Sequence, residues 1–511
     1  MRKTVFIGFM GAGKTTASRA LGDGARDVDH VIESREHRKV QEIFAERGEG
    51  AFRDLEERTT LELLDDPAVT AVSLGGGAIA SGRIREAIAR HTVVWLDVDL
   101  DTAWSRVQRS PGKRPLARDR QRFSALHAER QAAYEAVADV IVPAARAREM
   151  DAVIGKVMPA LAGLPQRQPK VTTLWASAGS AEYPVYVGDG LLTAVRFWPA
   201  QVGGRRVLVT DYNAGSRYGD RLEPYLGDIR IMPGEQSKTI AHAEIVWTEM
   251  VRCAVTRGDV VVALGGGVIG DLAGFCAATY QRGMPVVQVP TTLVAQVDSA
   301  YGGKTGVDLA EAKNYVGAYH QPSAVIVDPG TLATLPREEV AAGYAEVVKT
   351  ALIAGGPLWT QVRGGAEPTD PLLIARCARA KLGVVARDER DGGTRQLLNL
   401  GHTVGHAIET ATGFARYRHG EAVALGLLAA LRLSGADALR EEVRHLLDAR
   451  GLPTCLDRSV DLEQVIFNTA KDKKRLGEGP TPFVLCRAPG ECVFGETVAL
   501  GDLRAAVGEL Y

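Results

Sequence analysis

A glycine-rich segment near the start of the chain, residues 8–15, has the residue types and spacing that hold the phosphates of a nucleotide. It runs Gly-Phe-Met-Gly-Ala-Gly-Lys-Thr and fits the pattern G-x-x-x-x-G-K-S/T. Backbone N–H groups of such a loop surround phosphate oxygens, the Lys14 ammonium reaches the outer phosphates, and the Thr15 hydroxyl can hold Mg²⁺. A glycine-rich turn that only caps a helix is the alternative, but the complete motif favours phosphate binding.

Three of the ten histidines lie close together in the second half of the chain and are candidate metal ligands. His402 and His406 occupy positions i and i+4, so one face of a helix would carry both imidazole rings. His419 follows at the start of the next predicted helix. Because catalytic zinc uses such sets of His and Glu, spacing alone predicts the His402/His406 pair as ligands. The alternative is a group of hydrogen-bonded polar residues without an ion.

A second glycine-rich run, Gly265-Gly266-Gly267-Val-Ile-Gly-Asp271, lies between an apolar strand and a predicted helix. Glycines at such a position allow the backbone to approach the pyrophosphate of a dinucleotide closely. The spacing is not the standard G-x-G-x-x-G, so a structural turn is an equally good interpretation of this motif by itself.

Alternating strand and helix patterns position the first motif. Short apolar runs at 4–8, 71–74 and 93–98 alternate with amphipathic segments such as 40–64, which is typical of a parallel α/β sheet. Residues 159–170 carry prolines and no sustained periodicity, as linkers do. We therefore expect a P-loop domain over 1–158, followed by a linker over 159–170.

Two further domains are expected after the linker. The sequence predicts buried strands at 206–210, 260–264, 286–289 and 324–327. From about residue 331 helical periodicity dominates, as in 338–353, 372–386, 402–412 and 421–434. These patterns indicate a Rossmann-like α/β domain over 171–330 and a mostly helical domain over 331–511.

Composition excludes several classes of protein. With 511 residues, 46% hydrophobic and 24% charged, the chain is too long for one small module and ordinary for a globular protein. The 61 Lys+Arg and 62 Asp+Glu give a net charge of -1, so no overall positive charge attracts nucleic acid or an anionic membrane. The apolar stretch 422–433 is far shorter than the roughly 20 residues of a membrane span. Six cysteines without CxxC spacing fit a reducing compartment, and we expect free thiols in a cytoplasmic protein.

Residues around the P-loop narrow the class of nucleotide-binding protein. None of the four asparagines is followed by lysine, so the NKxD element with which GTPases read guanine is absent. The motifs present are Asp27-Val28-Asp29, Phe52-Arg53 followed by Glu56, Gly75-Gly76-Gly77, Arg114-Pro115-Leu116, and Arg130 followed by Tyr134. On these motifs the first domain resembles shikimate kinase, which phosphorylates the 3-hydroxyl of shikimate with ATP and Mg²⁺.

The resemblance implies roles for individual residues. Asp29, Lys14 and Arg114 would be catalytic, and Thr15 with Asp27 would hold Mg²⁺. ATP would be bound by Gly11, Ala12, Gly13, Lys14, Thr15, Thr16 and Arg114. Shikimate would be bound by Asp29, Arg53, Gly76, Gly77 and Arg130, because paired guanidinium groups suit its carboxylate. The stretch between Lys14 and Asp27 is shorter than the family pattern.

The rest of the chain, from about residue 171, resembles 3-dehydroquinate synthase. The motifs that carry this resemblance are residues 233–238, the GGGVIGD run, 280–283, 290–293, 297–305, 312–314, 343–349, 398–406 and 418–421. That family converts 3-deoxy-D-arabino-heptulosonate 7-phosphate to 3-dehydroquinate and phosphate, with catalytic NAD and a divalent metal, Zn²⁺ or Co²⁺. One departure is Asp308, which stands where the family usually has Asn.

This second resemblance replaces the His402/His406 pair by the metal ligands Glu346, His402 and His419, and implies that His406 faces the substrate. Catalytic roles would fall to Asp298, Lys304 and His406. NAD would be bound by Asp211, Asn213, Glu235, Lys238, Gly266, Gly267, Val268, Asp271, Thr291, Thr292, Asp298, Lys304 and Lys313. The heptulosonate phosphate would be bound by Arg282, Lys304, Asn314, Lys349, Lys381, Arg395, Asn399, His406 and Lys473.

Together the two resemblances imply a bifunctional enzyme of aromatic precursor synthesis by the shikimate pathway. They also imply small-molecule substrates, no nucleic acid or membrane partner, and a homodimer through the synthase half. One alternative is an active synthase whose N-terminal domain is a catalytically silent nucleotide-binding regulatory module. Another is a metal-dependent polyol dehydrogenase resembling glycerol dehydrogenase, which would produce NADH.

Overall fold

The computed structural model describes residues 2–109, 119–143, 149–165, 170–309, 312–476 and 481–511. The chain forms two compact units. The first comprises Met1–Gln166, Val171–Ala176 and Pro199–Gln201, and the second comprises Arg167–Lys170, Ser177–Trp198 and Val202–Tyr511. Among the described residues, no helix is both long enough and apolar enough to cross a membrane. The predicted α/β class is confirmed, while the division of the second unit into two domains stays a prediction.

Among its described residues, the first unit contains six parallel strands that lie side by side in a sheet. In chain order its strands are β1 (Thr4–Gly8), β2 (Ala25–Asp27), β3 (Ala71–Ser73), β4 (Thr92–Asp97), β5 (Val140–Pro143) and β6 (Thr172–Ser177). Their spatial order is β2-β3-β1-β4-β5-β6, and every neighbouring pair is parallel. All five residues of β1 are buried, as the continuous apolar run predicts. The unit extends past the expected linker, because β6 adds a strand to this sheet.

Seven α-helices accompany these strands in the part of this unit that the structure describes. They are α1 (Lys14–Arg19), α2 (Val28–Glu36), α3 (Val40–Asp65), α4 (Gly82–Ile88), α5 (Leu100–Arg109), α6 (Arg120–Val137) and α7 (Met150–Ala160). The shortened sequence after the P-loop leaves α1 only 6 residues long. The amphipathic segment expected at 40–64 is α3, which bends at Gly48, where φ is +81°.

The second unit also contains parallel strands that lie side by side in a sheet. Its strands are β7 (Glu182–Val187), β8 (Arg206–Asp211), β9 (Asp228–Ile231), β10 (Val260–Gly265), β11 (Val286–Pro290) and β14 (Ala324–Val327). They lie in the order β7-β14-β11-β10-β8-β9. Helices α8 (Tyr212–Tyr218), α9 (Ile240–Arg252) and α10 (Gly267–Thr279) follow β8, β9 and β10. The apolar sides of α9 and α10 pack with the strands in one core that includes Val209, Met250 and Leu272.

An antiparallel hairpin and a helical region complete the second unit. The hairpin joins β12 (Lys304–Leu309) to β13 (Ala312–Tyr319). The helices are α11 (Arg337–Ala354), α12 (Gly356–Arg363), α13 (Pro371–Arg387), α14 (His402–Ala411), α15 (His419–Leu433), α16 (Asp437–Asp448), α17 (Leu462–Leu476) and α18 (Leu500–Gly508). A second antiparallel hairpin, β15 (Pro482–Ala488) with β16 (Glu491–Thr497), precedes α18.

Glycines bring three of these helices into direct backbone contact. A Cβ atom on Gly420 of α15 would overlap the carbonyl oxygen of Ala342 in α11. A Cβ atom on Gly426 would overlap the carbonyl oxygen of Gly401, which precedes α14. Since neither backbone can yield as a flexible side chain would, α15 is held against both neighbours at a fixed distance.

Candidate active sites

The P-loop of the first unit has the geometry that phosphate binding requires. It leaves β1 and leads into α1, with Gly8, Gly11 and Gly13 at φ values of +145°, +79° and +92°. These angles favour glycine, because a side chain there strains the backbone. The Lys14 ammonium donates to the carbonyl oxygen of Gly8 at 2.8 Å. Arg106 of α5 donates to the carbonyl oxygen of Gly11 at 2.9 Å and so ties the loop to the next layer.

Two oxygen-bearing side chains meet beside the loop, as expected for a Mg²⁺ site. The Thr15 hydroxyl donates to Oδ2 of Asp27 at 2.6 Å. Asp27 also caps α2 by accepting from the backbone N–H of His30 at 3.2 Å, and Asp29 lies in the first turn of that helix. A cavity of about 370 Å³, lined mainly by residues of α1 and α2, opens beside Thr15 and Asp27. Hydroxyl and carboxylate oxygens are the ligands that Mg²⁺ prefers.

Both predicted shikimate arginines approach the glycines that follow β3. A Cβ atom on Gly77 would lie 2.5 Å from a guanidinium nitrogen of Arg53. A Cβ atom on Gly76 would lie 3.4 Å from a guanidinium nitrogen of Arg130. The Tyr134 hydroxyl donates to the carbonyl oxygen of Gly76 at 2.6 Å and fixes this turn. The structure therefore places two guanidinium groups at one turn, where they would bind a carboxylate. Arg114 lies outside the described residues.

A buried carboxylate, Glu56, stands beside these arginines and was not among the predicted site residues. It is 2% exposed and accepts from Arg53 at 2.6 Å, while its Oε1 has no hydrogen-bond partner among the described residues. Burial raises the pKa of Glu56, Arg53 lowers it, and Asp29 raises it further, so the result lies above the usual value. Glu56 thus sets the position of Arg53. The motif Phe-Arg-x-x-Glu could have identified this contact from sequence, because residues at i and i+3 of a helix face the same side.

Glu346, His402 and His419 form a group that could hold a metal ion in the second unit. Their candidate ligand atoms all lie within 4.8 Å of one another. Oε1 of Glu346, a residue 1% exposed, lies 3.5 Å from Nε2 of His402 and 3.4 Å from Nε2 of His419. The two histidines are the first residues of α14 and α15, and Glu346 lies within α11. Two His and one Glu are the donor set of catalytic zinc, which leaves a position for substrate.

The charges around this group suit a cation. Burial and nearby Lys349 hold the pKa of His402 well below its usual value, so its ring is neutral and free to ligate. Burial alone would lower the pKa of His419, but Glu346 and Glu409 raise it to about 10. The same two carboxylates would favour a cation bound at this position.

The His402/His406 ligand pair expected from spacing alone is not formed. His402 groups with Glu346 and His419, whereas the exposed His406 belongs to a second group with Glu409 and His419. The ring centroids of His402 and His406 are 5.2 Å apart. An i, i+4 spacing places two rings on one helix face, but it does not specify which side chain from another helix completes the set.

A lysine and aspartate network adjoins the metal group. Lys349 ion-pairs with Glu346 and lies 3.9 Å from Oδ1 of Asp298. Lys381 reaches the same oxygen at 2.8 Å and also donates to the backbone carbonyl of Asp298 at 2.7 Å. Burial raises the pKa of Asp298, but Lys349 and Lys381 lower it below the usual value, which keeps this carboxylate ionised.

The predicted dinucleotide residues gather at the carboxyl ends of β8, β10 and β11. Asp211 ends β8 and caps α8, accepting from the N–H groups of Asn213 at 2.8 Å and Ala214 at 2.9 Å. Gly266 and Gly267 open α10, followed by Val268, and Thr291 and Thr292 follow β11. A Cβ atom on Gly266 would lie 2.9 Å from the Thr292 side chain, so a residue with a side chain does not fit there and the backbone stays uncovered. This edge of a parallel sheet is where dinucleotides bind.

A second charged cluster centres on the buried Lys238. Its ammonium lies 2.9 Å from Asp271, 2.5 Å from Asn314 and 3.6 Å from Glu235. Lys313 also lies 3.6 Å from Glu235. Burial lowers the pKa of Lys238, but Asp271 and Glu235 raise it above its usual value, so the ammonium stays charged.

Asp308, the departure from the family pattern, belongs to the same cluster. It accepts from the backbone N–H of Asn314 at 2.7 Å. Burial and nearby Glu235 raise its pKa above the usual value, although the N–H of Asn314 and the charge of Lys238 oppose this shift.

Other predicted substrate contacts are engaged elsewhere or stand at the surface. Lys304 is 51% exposed and ion-pairs with Asp391. Arg395 is buried and donates to the carbonyl oxygens of Gly302 and Glu389. Arg282 and Asn399 are exposed. The side chain of Lys473 lies outside the described residues. Most of these interactions join residues that are distant in sequence, so no sequence motif predicts them.

Three family models match the chain. They are shikimate kinase at residues 10–162, the 3-dehydroquinate synthase N-terminal domain at 228–342 and its C-terminal domain at 343–475. The 3-dehydroquinate synthase of Symbiobacterium thermophilum is 42% identical over 356 residues, 64% of this chain and 97% of that protein. That of Halorhodospira halophila is 43% identical over 339 residues, 63% of this chain and 94% of that protein.

Two solved structures resemble the same part of the chain. One is 2-deoxy-scyllo-inosose synthase complexed with carbaglucose-6-phosphate, NAD⁺ and Co²⁺, at 25% identity and a TM-score of 0.60, covering 66% of this chain and 100% of that one. The other is 2-epi-5-epi-valiolone synthase from Streptomyces hygroscopicus subsp. jinggangensis with NAD⁺ and Zn²⁺ bound, at 28% identity and 0.58, covering 65% and 97%.

Proposed function

Because the chain belongs to the 3-dehydroquinate synthase family and carries a shikimate kinase domain before the synthase domains, we propose that it catalyses both reactions. The first unit transfers a phosphoryl group from ATP to the 3-hydroxyl of shikimate. The second converts 3-deoxy-D-arabino-heptulosonate 7-phosphate to 3-dehydroquinate and phosphate. The observation that carries the synthase assignment is the Glu346, His402 and His419 group beside two buried lysines.

In the synthase unit, Glu346, His402 and His419 would hold Zn²⁺ or Co²⁺, and the glycine-lined edge of the sheet would hold NAD. When bound, the metal would supply polarisation of a substrate hydroxyl, and NAD⁺ would supply redox chemistry at the carbon that bears it. The presence of NAD⁺ with Co²⁺ or Zn²⁺ in the two related solved synthases supports this assignment. Asp211 and Lys238 would contact the dinucleotide, with the other residues named for it above.

The chain's own charges would orient the substrate. Lys349 and Lys381 would bind its anionic groups, while the ionised Asp298 accepts a hydrogen bond from the reacting hydroxyl. His406 stands exposed beside the metal group and would face substrate or phosphate. The exposed ion pair of Lys304 with Asp391 contributes only about 0–1 kcal/mol, so substrate can replace it.

In the kinase unit, we propose the predicted roles for those residues that the structure describes. Lys14 and the backbone of the P-loop would hold ATP, and Thr15 with Asp27 would hold Mg²⁺. Arg53 and Arg130 would bind the carboxylate of shikimate beside Gly76 and Gly77. Asp29 would accept the proton of the attacking hydroxyl, which is the contribution of a general base.

Neither alternative is favoured. A silent regulatory module would have no need of Asp29, Arg53 and Arg130 together, and a polyol dehydrogenase does not explain the kinase match or the synthase relatives. All six cysteines are free thiols, which supports a reducing, cytoplasmic setting. We also propose that the chain forms a homodimer through its synthase half.

Two assays on one preparation test the function. We expect phosphate release from the heptulosonate phosphate with NAD⁺ and Zn²⁺, and ADP formation from ATP with shikimate and Mg²⁺. Asp29→Ala should lower only ADP formation, by about 100-fold or more, since a general base contributes on that order. His402→Ala should abolish only phosphate release.

The matched controls are Asp23→Ala and His445→Ala, which replace exposed residues of the same types and should leave both rates unchanged. Phosphate release without shikimate-dependent ADP formation would reject the kinase assignment in favour of the silent module. Net NADH accumulation during phosphate release would reject the synthase chemistry.

A further inference from the structure

His419 lies between two buried carboxylates, one at each nitrogen of its ring. Nε2 is 3.4 Å from Oε1 of Glu346, and Nδ1 is 3.5 Å from Oε2 of Glu409. A neutral imidazole carries one proton, so one nitrogen can donate to a carboxylate while the other ligates an ion. The two glutamates therefore have different tasks at the same ring.

Glu409 comes from the helix that also supplies His402. It lies three residues beyond His406 on α14, on the face that carries both histidines. The residue is 4% exposed, so its charge needs a partner within the protein. The ring of His419, entering from α15, supplies that partner. Glu409 is absent from the ligand set implied by sequence, because its partner is on a different helix.

We propose that Glu409 is a positioning residue that accepts the Nδ1–H of His419 and thereby directs Nε2 to the metal ion. The inference rests on the proposed metal site of Glu346, His402 and His419. A carboxylate behind a ligating histidine fixes both the tautomer and the orientation of the ring, and it strengthens the ring as a donor. His402 has a different support, since its Nδ1 lies 3.2 Å from the carbonyl oxygen of Leu400.

A second ion offers the competing explanation, because His406, Glu409 and His419 also place three ligand atoms within 4.8 Å. That ion would need Nδ1 of His419, which could then not carry a proton toward Glu409. His406 is exposed, whereas Glu346 of the first group is buried. We therefore expect one ion per chain, and the metal stoichiometry separates the two explanations.

The experiment measures metal binding by the full-length protein. Zn²⁺ affinity is determined by competition with a chelator, and zinc per chain by mass spectrometry, for the wild type, Glu409→Gln and Glu409→Asp. We expect one zinc per wild-type chain and a Kd about 10–100-fold higher in Glu409→Gln, the usual effect of losing such a partner. Glu409→Asp keeps the charge and should recover part of the affinity. The visible spectrum of the Co²⁺-loaded protein should shift in Glu409→Gln.

Glu463→Gln is the matched control, because this exposed glutamate lies on α17 and pairs with Arg504. It should bind zinc as the wild type does. Circular dichroism checks that each variant is folded.

An unchanged Kd and Co²⁺ spectrum in folded Glu409→Gln would overturn the proposal. Two zinc ions per wild-type chain, with one lost in Glu409→Gln, would overturn it in favour of the second ion. Failure of the wild type to bind zinc would instead count against the proposed metal site.

Discussion

A methyl group added at Gly77 would contact Arg53, a predicted shikimate-binding residue. Its backbone is not in the left-handed region, so alanine fits the main chain. The new Cβ atom would lie 2.5–2.7 Å from the guanidinium group of Arg53, which must move away. Because the obstacle is the end of a flexible side chain, the effect falls on substrate binding and hardly on stability.

We predict that Gly77→Ala raises the KM for shikimate about tenfold, equivalent to ~1.4 kcal/mol of lost binding, and leaves the KM for ATP unchanged. Steady-state kinetics with each substrate varied in turn provides the measurement. Gly50→Ala is the control, since a Cβ atom there meets nothing within 4 Å. A shikimate KM equal to that of the wild type would show that Arg53 does not bind this substrate.

In the second unit, the two ends of the parallel strands have different roles. The carboxyl ends of β8, β10 and β11 carry the predicted dinucleotide residues, whereas the amino ends carry structural contacts. Asp259, just before β10, accepts from Arg205 at 2.8 Å and 2.9 Å and from the N–H of Thr256 at 2.7 Å. This aspartate therefore joins the start of β8 to the start of β10.

The hydrogen bonds from Arg205, followed by those from Thr256, hold the pKa of Asp259 well below its usual range despite the opposing effect of burial. A carboxyl whose pKa is lowered by folding stabilises the protein above its unfolded pKa of about 4, and this contribution disappears as the pH falls below that value. We predict that Asp259→Asn lowers stability by about 2 kcal/mol at pH 7 and by progressively less at lower pH.

Thermal unfolding from pH 7 to pH 3 of the wild type and Asp259→Asn gives this difference directly. The exposed Asp502→Asn serves as the control and should follow the wild type at every pH. A difference that stays constant over the whole range would mean that the charge of Asp259 is not what stabilises the strands.

Some elements are predictable from sequence and others are not, for physical reasons. The strands β1 and β10 were predicted within a residue because they are buried on both faces and therefore read as continuous apolar runs. The hairpin of β12 and β13 was not predicted, since its residues mix polar motif positions with few strand formers. The pairing of β6 with the first sheet was also missed, because it follows a segment with the composition of a linker.

The candidate sites show the same limit. Local motifs located Lys14, Thr15 and His402, because their chemistry needs fixed residue types near one another in sequence. Glu346 and His419 entered the predicted ligand set only through the resemblance to 3-dehydroquinate synthase. The buried Glu409, by contrast, took its importance from a contact with His419 on another helix. Asp328 is another case, since it accepts from the N–H groups of Gly190, Leu192 and Thr193, far earlier in the chain. Such pairings depend on tertiary structure, which periodicity does not reveal.

At the scale of the whole molecule, each of the two compact units has its own buried parallel strands and its own predicted ligands. Units with separate cores can unfold separately. We predict two thermal transitions by calorimetry. ATP with shikimate, each at 100 times its Kd, should raise the stability of only one transition by at least about 2.7 kcal/mol, and NAD⁺ at the same ratio should raise only the other by a similar amount.

Lys14→Ala provides the control, because it should remove the effect of ATP and retain that of NAD⁺. A single transition that responds to both sets of ligands would show that the two units unfold as one.

The backbone contacts at Gly420 and Gly426 also bear on how this sequence can change over generations. Each glycine holds α15 against a helix or turn that carries a proposed metal ligand. Even alanine, the smallest replacement, would place its methyl group in overlap with a neighbouring carbonyl oxygen. Proteins that descend from this sequence and keep the metal site should therefore retain glycine at both positions. Inherited variation in this region must instead accumulate on the outward sides of α11, α14 and α15.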